Sequence, residues 1–208
     1  MSYPVLSILE ELKEKLGHHP VVVLEAPPGA GKSTILPLHL LNEPWLQRKK
    51  ILMLEPRRLA ARSVAMRMAE LRKEGAGETI GYRVRFDSRV SKQTRLEVVT
   101  EGILTRVIQQ DNSLDEVGLL IFDEFHERSL QADLALTLSL QVQQILRPDL
   151  RILIMSATVD GERLAEVLQA PQVRSSGRQF PVTIHYQAQP DTTPMVMRMT
   201  SAIRRALR

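Results

Sequence analysis

The chain has 208 residues, of which 43% are hydrophobic and 25% are charged, and this balance suits one large globular domain, with or without an appendage. It contains no cysteine, which excludes a disulfide framework and a thiolate metal site, and its five histidines show no metal-ligand spacing. No apolar run approaches the roughly 20 residues of a membrane span and no secretory signal pattern opens the chain, so we expect a cytoplasmic protein that does not enter a membrane.

Apolar periodicity divides the chain into alternating helices and strands. In chain order, helices are predicted at residues 5–16, 33–41, 59–72, 101–109, 132–146 and 161–168. Strands are predicted at residues 21–24, 51–54, 79–84, 94–99, 117–122, 152–155 and 182–186. The polar stretch 187–194 predicts a linker, and residues 195–208 a further helix. Because several strands are apolar on both faces, we expect an α/β fold with a mostly parallel sheet and helices on both sides.

A phosphate-binding loop is predicted after the first strand. It comprises Ala26, Pro27, Pro28, Gly29, Ala30, Gly31, Lys32, Ser33 and Thr34. Its glycines let backbone N–H groups turn towards phosphate oxygens, and the following helix directs its positive end to the same place. Lys32 is expected to reach the β- and γ-phosphates of a nucleotide, and the Ser33 hydroxyl to ligate Mg²⁺. The pattern departs from the usual one only at Ala26, where a glycine is common.

Two carboxylates, Asp123 and Glu124, directly follow the apolar strand 117–122 in the stretch GLLIFDEFHERS. Parallel strands end at the same edge of a sheet, so this pair is expected to meet the phosphate loop. Asp123 would then face the Mg²⁺ of a bound nucleotide, and Glu124 would orient or deprotonate an attacking water. Without the phosphate loop, the same two residues would be interpreted as an ordinary solvated strand end. The expected cofactors are ATP and Mg²⁺.

Several segments together resemble the DEAH/DExH-box helicases of superfamily 2. The stretch DEFHERS is similar to the motif that names this family, LEPRRLAARSVAMRMAE resembles motif Ia, TEG motif Ib and SAT motif III. IGYRVRFDSR and GRQFPV resemble two further family segments, the second of which closes the first motor lobe. The match covers nearly the whole chain in the family's order. With Phe125 in place of the usual alanine, it is most similar to the bacterial HrpB type.

The resemblance implies a RecA-like P-loop NTPase fold and a role for each matching residue. Asp123 would hold Mg²⁺ partly through water, Glu124 would be the catalytic base, and His126 would link the γ-phosphate region to the rest of the motor. Arg67 matches an arginine that stacks on adenine. The nucleic-acid path is implied to include Arg57, Arg58, Thr100, Glu101 and Gly102. Coupling of nucleotide state to domain movement is implied for Ser156, Ala157 and Thr158.

The expected organisation is an ATP-binding lobe at residues 1–186, followed at 187–208 by a linker and the start of a second lobe. The chain has no QRxGRxGR segment, where this family carries its arginine fingers, so the remainder of that lobe is expected to be absent and the isolated lobe nearly inactive. The expected partners are this second lobe and single-stranded nucleic acid, RNA rather than DNA. Arg57 and Arg58 would neutralise phosphates without identifying bases.

Two other functions stay open on sequence grounds. A P-loop small-molecule kinase would share the phosphate loop, but kinases of this kind lack motifs Ia, Ib and III. The sequence also shows no recognisable acceptor site or lid. A non-catalytic nucleotide-binding scaffold would retain the fold without turnover, although Lys32, Asp123 and Glu124 argue against it. Phosphorylation of a small acceptor, or ATP turnover raised by single-stranded RNA, would separate these functions from a helicase.

Overall fold

The computed structural model describes residues 3–157, 160–176, 183–184, 186 and 193–207. The chain divides into two compact units, Met1–Arg178 and Gln179–Arg208. The first unit contains a sheet with its covering helices, and the described part of the second contains one helix. Within the described residues, none of the helices has both the length and the apolar character needed to cross a membrane.

An eight-stranded sheet forms the centre of the first unit. Its strands are β1 (Val21–Glu25), β2 (Lys50–Leu54), β3 (Ile80–Val84), β4 (Asp87–Arg89), β5 (Leu96–Val99), β6 (Val117–Phe122), β7 (Arg151–Ser156) and β8 (Gln172–Arg174). Their spatial order is β4-β3-β5-β2-β6-β7-β1-β8. Every neighbouring pair is parallel except the β3–β4 hairpin. The predicted α/β class with a mostly parallel sheet is therefore confirmed.

Helices cover both faces of this sheet. They are α1 (Leu9–His18), α2 (Leu36–Leu40), α3 (Arg58–Leu71), α4 (Glu101–Gln110), α5 (Leu130–Ile145) and α6 (Asp160–Leu168), with α7 (Met195–Ala206) in the second unit. Alternate residues of β6 face opposite ways: Leu119 and Ile121 pack in the core beside α1, α2 and α3, whereas Leu120 and Phe122 pack beside α4 and α5. The two cores explain why the strands are apolar along their whole length.

Two predicted helices begin later than expected. The helix predicted at residues 5–16 is a short 3-10 helix, Pro4–Ile8, followed by α1. The helix predicted at 33–41 is reduced to α2, because Pro37 has no N–H group with which to continue the helical hydrogen bonds backwards. Residues 32–35 form turns instead, and the N–H groups of Ile35 and Leu36 both donate to the Gly31 carbonyl, at 2.9 and 3.2 Å.

The remaining differences concern short or marginal strands. β4 and β8 have three residues each and were not predicted. The strand predicted at 182–186 is wrong at Thr183, Ile184 and Tyr186, which are not in a strand, and its other positions lie outside the described residues. The GRQFPV segment and most of the predicted linker also lie outside them.

Candidate functional site

The predicted phosphate loop, residues 26–34, connects β1 to the turns that precede α2. Gly29 and Gly31 have φ angles of 78° and 94°, a backbone region that favours glycine, as a loop that turns its N–H groups inward requires. Ala26 is fully buried and donates its N–H to the Ser156 carbonyl at 3.0 Å. A glycine is therefore not needed at this first position, because the small side chain of Ala26 is accommodated beneath the loop.

Lys32 and Glu124 form a short ion pair at the carboxyl edge of the sheet. The Lys32 Nζ lies 2.5 Å from the Glu124 Oε1, and only 5% of the lysine side chain is exposed. Glu124 adopts a left-handed backbone conformation, with φ 50°, directly after Asp123. Its ion pair with Lys32 joins the turn after β6 to the loop that follows β1.

Asp123 is 1% exposed, and one of its two carboxylate oxygens accepts no hydrogen bond. Its Oδ1 accepts a hydrogen bond from the Glu124 N–H at 2.9 Å, whereas its buried Oδ2 is unpartnered. Burial raises the pKa of Asp123, and the Ser33 hydroxyl and Lys32 oppose that rise. A carboxylate and a hydroxyl are the oxygen ligands that Mg²⁺ accepts alongside nucleotide phosphates and water, so these two residues fit the predicted ion.

His126 connects the acidic pair to the segment that follows β7. Its Nδ1 accepts the Ala157 N–H at 3.3 Å, and its Nε2 lies 3.3 Å from the Glu124 Oε2. Because a backbone N–H can only donate, Nδ1 is the acceptor in the contact with Ala157, and the Nε2 side of the ring faces the Glu124 carboxylate. Together with the bond from Ala26 to Ser156, these contacts link the phosphate loop, the acidic pair and the start of the SAT segment.

Phe125 closes the acidic loop on its inner side. The ring is buried, meets the Phe122 ring edge-on with centroids 6.1 Å apart, and lies 5.6 Å below the Arg128 guanidinium. It belongs to the core beside α4 and α5. The large side chain that replaces the usual alanine thus anchors the acidic loop in the core.

Glu55, directly after β2, is a site residue that the sequence analysis missed. It is buried, and it lies beside Asp123. Burial first, and then the charges of Asp123 and Glu124, raise the pKa of Glu55 to about 8. A glutamate following an apolar strand was the only available signal, and it could not be distinguished from an ordinary strand end.

We expect Glu55→Gln to reduce the pH dependence of stability. The folded-state pKa of Glu55 lies above its unfolded value, so its contribution is fully present below the unfolded pKa and is lost as pH rises through about 8. The free energy of unfolding of the original chain should fall by up to a few kcal/mol more than that of the variant between pH 5 and 9. Urea unfolding in nucleotide-free and magnesium-free buffer measures this difference. The surface substitution Glu14→Gln is the matched control, and parallel curves for Glu55→Gln and the original chain would contradict the prediction.

An open cleft of about 630 Å³ lies beside the β3–β4 hairpin and the start of α4. The predicted nucleic-acid residues Arg58, Thr100 and Gly102 line it, together with Arg85, Phe86 and Arg106, which were not among the predicted site residues. Arg58 donates to the Arg85 carbonyl at 3.0 Å, so its side chain bridges α3 and the hairpin. The cleft thus presents three arginines from three different segments.

The other predicted residues of this path have ion-pair or hydrogen-bond partners. Arg57 is 72% exposed and pairs with Glu127 at 2.8 Å. Glu101 accepts a hydrogen bond from the Ser129 hydroxyl at 2.6 Å, and Ser129 also caps the start of α5. Glu101 therefore links α4 to α5, and its negative charge is unsuited to direct phosphate contact.

The remaining predictions fall on α3 and on the end of the SAT segment. Arg67 lies on the exposed side of α3 and donates to Glu70 at 2.6 Å. Thr158 lies outside the described residues, so its predicted coupling role has no structural counterpart here. Among the described residues, no group of three or more His, Cys, Asp and Glu side chains could hold a metal ion without other ligands.

A phosphate loop after β1 and an acidic pair after β6, joined at the carboxyl edge of a parallel sheet, define a P-loop nucleotide-binding protein. The chain belongs to the DEAD/DEAH box helicase family, whose pattern matches residues 8–167.

Known relatives agree with this assignment. The chain is 60% identical over 186 residues to the ATP-dependent RNA helicase HrpB of Escherichia coli, covering 89% of this chain and 23% of that protein. It is 41% identical over 187 residues to the E. coli ATP-dependent RNA helicase HrpA, covering 88% of this chain and 14% of that protein.

Solved structures extend the likeness to three dimensions. The crystal structure of E. coli DEAH/RHA helicase HrpB matches with a TM-score of 0.90 and 54% identity, over 98% of this chain and 27% of that one. A second structure, of E. coli DExH-box NTPase HrpB, matches with a TM-score of 0.84 and 56% identity, over 99% and 26%. The RecA-like fold is thereby confirmed. The chain spans about a quarter of the length of HrpB.

Proposed function

We propose that residues 1–186 are the ATP-binding lobe of a cytoplasmic ATP-dependent RNA helicase, and that residues 187–208 are a linker and the start of its second lobe. The observation that carries this proposal is the ion pair of the buried Lys32 with Glu124, beside Asp123, at the edge where the phosphate loop begins. The names of the relatives HrpB and HrpA, both RNA helicases, favour RNA over DNA as the partner.

The geometry supports a division of labour during ATP hydrolysis. The backbone of residues 29–34 and the Lys32 ammonium bind the phosphates, while Ser33 and Asp123 hold Mg²⁺, partly through water. The bound Mg²⁺ would screen the negative charge of the phosphate oxygens. The Lys32 ammonium forms an ion pair with the Glu124 Oε1. When Lys32 turns to the phosphates, this oxygen becomes available to accept a proton from the attacking water.

The hydrogen bonds around His126 support a coupling role for the SAT segment. A movement of Glu124 is transmitted through the His126 ring to the Ala157 N–H, and Ser156 is tied to the phosphate loop through Ala26. The proposed coupling residues are Ser156, Ala157 and Thr158. Coupling of this kind would convert the nucleotide state into lobe movement and strand translocation.

The experiment that tests the proposed function is ATP turnover with matched RNA and DNA oligonucleotides, using a chain in which a second lobe follows these residues. Stimulation by single-stranded RNA is the expected result. Stimulation by DNA alone would identify DNA rather than RNA as the substrate. Phosphorylation of a small acceptor without any nucleic-acid stimulation would identify a kinase. Nucleotide binding without turnover in that longer chain would identify a scaffold.

We expect Arg57→Ala and Arg58→Ala to weaken nucleic-acid binding about equally across base sequences, because guanidinium groups on phosphates neutralise charge without identifying bases. Each lost phosphate contact should lower the slope of log affinity against log salt by about 0.7 for a single strand. Arg58 should have the larger effect, since Arg57 must first leave Glu127.

Fluorescence anisotropy with labelled homopolymers at several salt concentrations measures both quantities. Arg163→Ala removes the same charge from an exposed position on α6, outside the lining of the cleft, and serves as the control. A loss of affinity confined to one base composition would show that these arginines contact bases. An equal loss of affinity in Arg163→Ala would show that the effect comes from net charge alone.

A further inference from the structure

A carboxylate of this chain contacts an arginine of the predicted nucleic-acid path. The Arg57 Nη2 lies 2.8 Å from the Glu127 Oε1. Arg57 also lines a second open cleft, of about 730 Å³, which shares Arg58 and Val84 with the cleft beside the start of α4. The glutamate therefore lies against a cation that faces the proposed path of the strand.

The two partners of this ion pair differ in how firmly the chain positions them. Glu127 ends the 3-10 turn Phe125–Glu127 and donates its N–H to the Glu124 carbonyl at 2.9 Å. The buried Phe125 ring anchors this turn in the core. The Glu127 side chain is 33% exposed, whereas the Arg57 side chain is 72% exposed and has many rotamers. The arginine is thus free to move to another anion while the glutamate stays in place.

A carboxylate and a nucleic-acid phosphate compete for the same guanidinium group. Both present negatively charged oxygen atoms to one planar set of N–H donors. A phosphate that binds Arg57 must replace Glu127, and the freed carboxylate then leaves a negative charge beside the strand. Because exposed ion pairs are weak, the replacement opposes strand binding only by a small factor.

We infer that Glu127 is a positioning residue of the nucleic-acid site, whose carboxylate occupies Arg57 until a phosphate of the strand displaces it. This inference rests on the proposed RNA binding and adds a residue that was not among the predicted site residues. Removal of the carboxylate should therefore strengthen RNA binding, whereas removal of the arginine should weaken it. Damage to the fold would not produce a gain in affinity.

The test measures the affinity for labelled single-stranded RNA by fluorescence anisotropy, in a chain in which a second lobe follows these residues. Glu127→Gln should tighten binding by about 1.5- to 5-fold, the effect of removing one exposed ion pair that opposes it. The slope of log affinity against log salt should steepen by up to about 0.7, because Arg57 then neutralises a phosphate without first losing a partner. Glu127→Ala removes the same charge and should have the same effect.

A double-mutant cycle with Arg57→Ala separates this contact from a general effect of charge. In that background, adding Glu127→Gln should leave RNA affinity unchanged. The control is Glu162→Gln, which removes one partner of Arg174 from an exposed ion pair between α6 and β8. Because β8 lies at the opposite end of the sheet from the β3–β4 hairpin, this variant should not change RNA affinity.

Unchanged or weaker RNA binding in both Glu127 variants would overturn the inference. An equal gain in affinity with and without Arg57 would also overturn it, since the effect would then not pass through the arginine. The same conclusion would follow from an equal gain in Glu162→Gln. If the original chain binds no RNA at any salt concentration, the proposed function fails instead.

Discussion

Residues 1–208 alone are expected to hydrolyse ATP about 10³–10⁵-fold more slowly than a chain in which a second lobe follows them. The described residues supply the phosphate loop, Asp123 and Glu124, all on one side of the nucleotide. The DEAH-box resemblance implies that arginine fingers from the second lobe stabilise the γ-phosphate oxygens from the opposite side. In P-loop enzymes, a contribution of this kind accounts for most of the rate, so its absence should dominate.

The measurement is steady-state ATP turnover of both chains, with and without single-stranded RNA, under identical conditions. Strand displacement should be undetectable for residues 1–208, because translocation requires two lobes that close on ATP and reopen after hydrolysis. ATP binding itself should be retained. Comparable turnover in the two chains would contradict the prediction and show that these residues contain a complete active site.

Glu124→Gln and Lys32→Ala should separate catalysis from binding, and this is the second large effect. In the two-lobe chain, Glu124→Gln should lower turnover by roughly 10²–10⁴-fold, the usual contribution of a general base, with ATP affinity nearly unchanged. The amide cannot accept the proton of the attacking water.

Lys32→Ala should weaken ATP binding by about 10- to 150-fold, the effect of losing hydrogen bonds to a charged group. The loss also leaves the half-buried Glu124 without its cation, so thermal unfolding should be followed in parallel to detect any loss of folded protein. Calorimetry with a slowly hydrolysed ATP analogue measures the affinities of both variants. Equal loss of binding in the two variants would contradict the roles assigned to Lys32 and Glu124.

Much of the candidate site was predictable because it follows from local chain chemistry. The apolar strand 117–122 matches β6, and the carboxylates after it meet the phosphate loop because parallel strands end at one edge. Predictions failed where a single residue outweighed the pattern, as at Pro37, which delays α2 to Leu36. The three-residue strands β4 and β8 are too short to produce a periodic signal.

Local residue patterns were sufficient for the alternation of helices and strands, the phosphate loop and the identity of the acidic pair. The spacing of apolar and polar residues along the chain carries that information, because the pattern repeats every few residues. The contacts between segments depended on folding. Glu55 beside Asp123, His126 bonded to Ala157, and Tyr3 against Gly31 each join residues far apart in the chain. Packing and burial create these neighbours and set the pKa of Glu55, and neither leaves a trace in the local sequence.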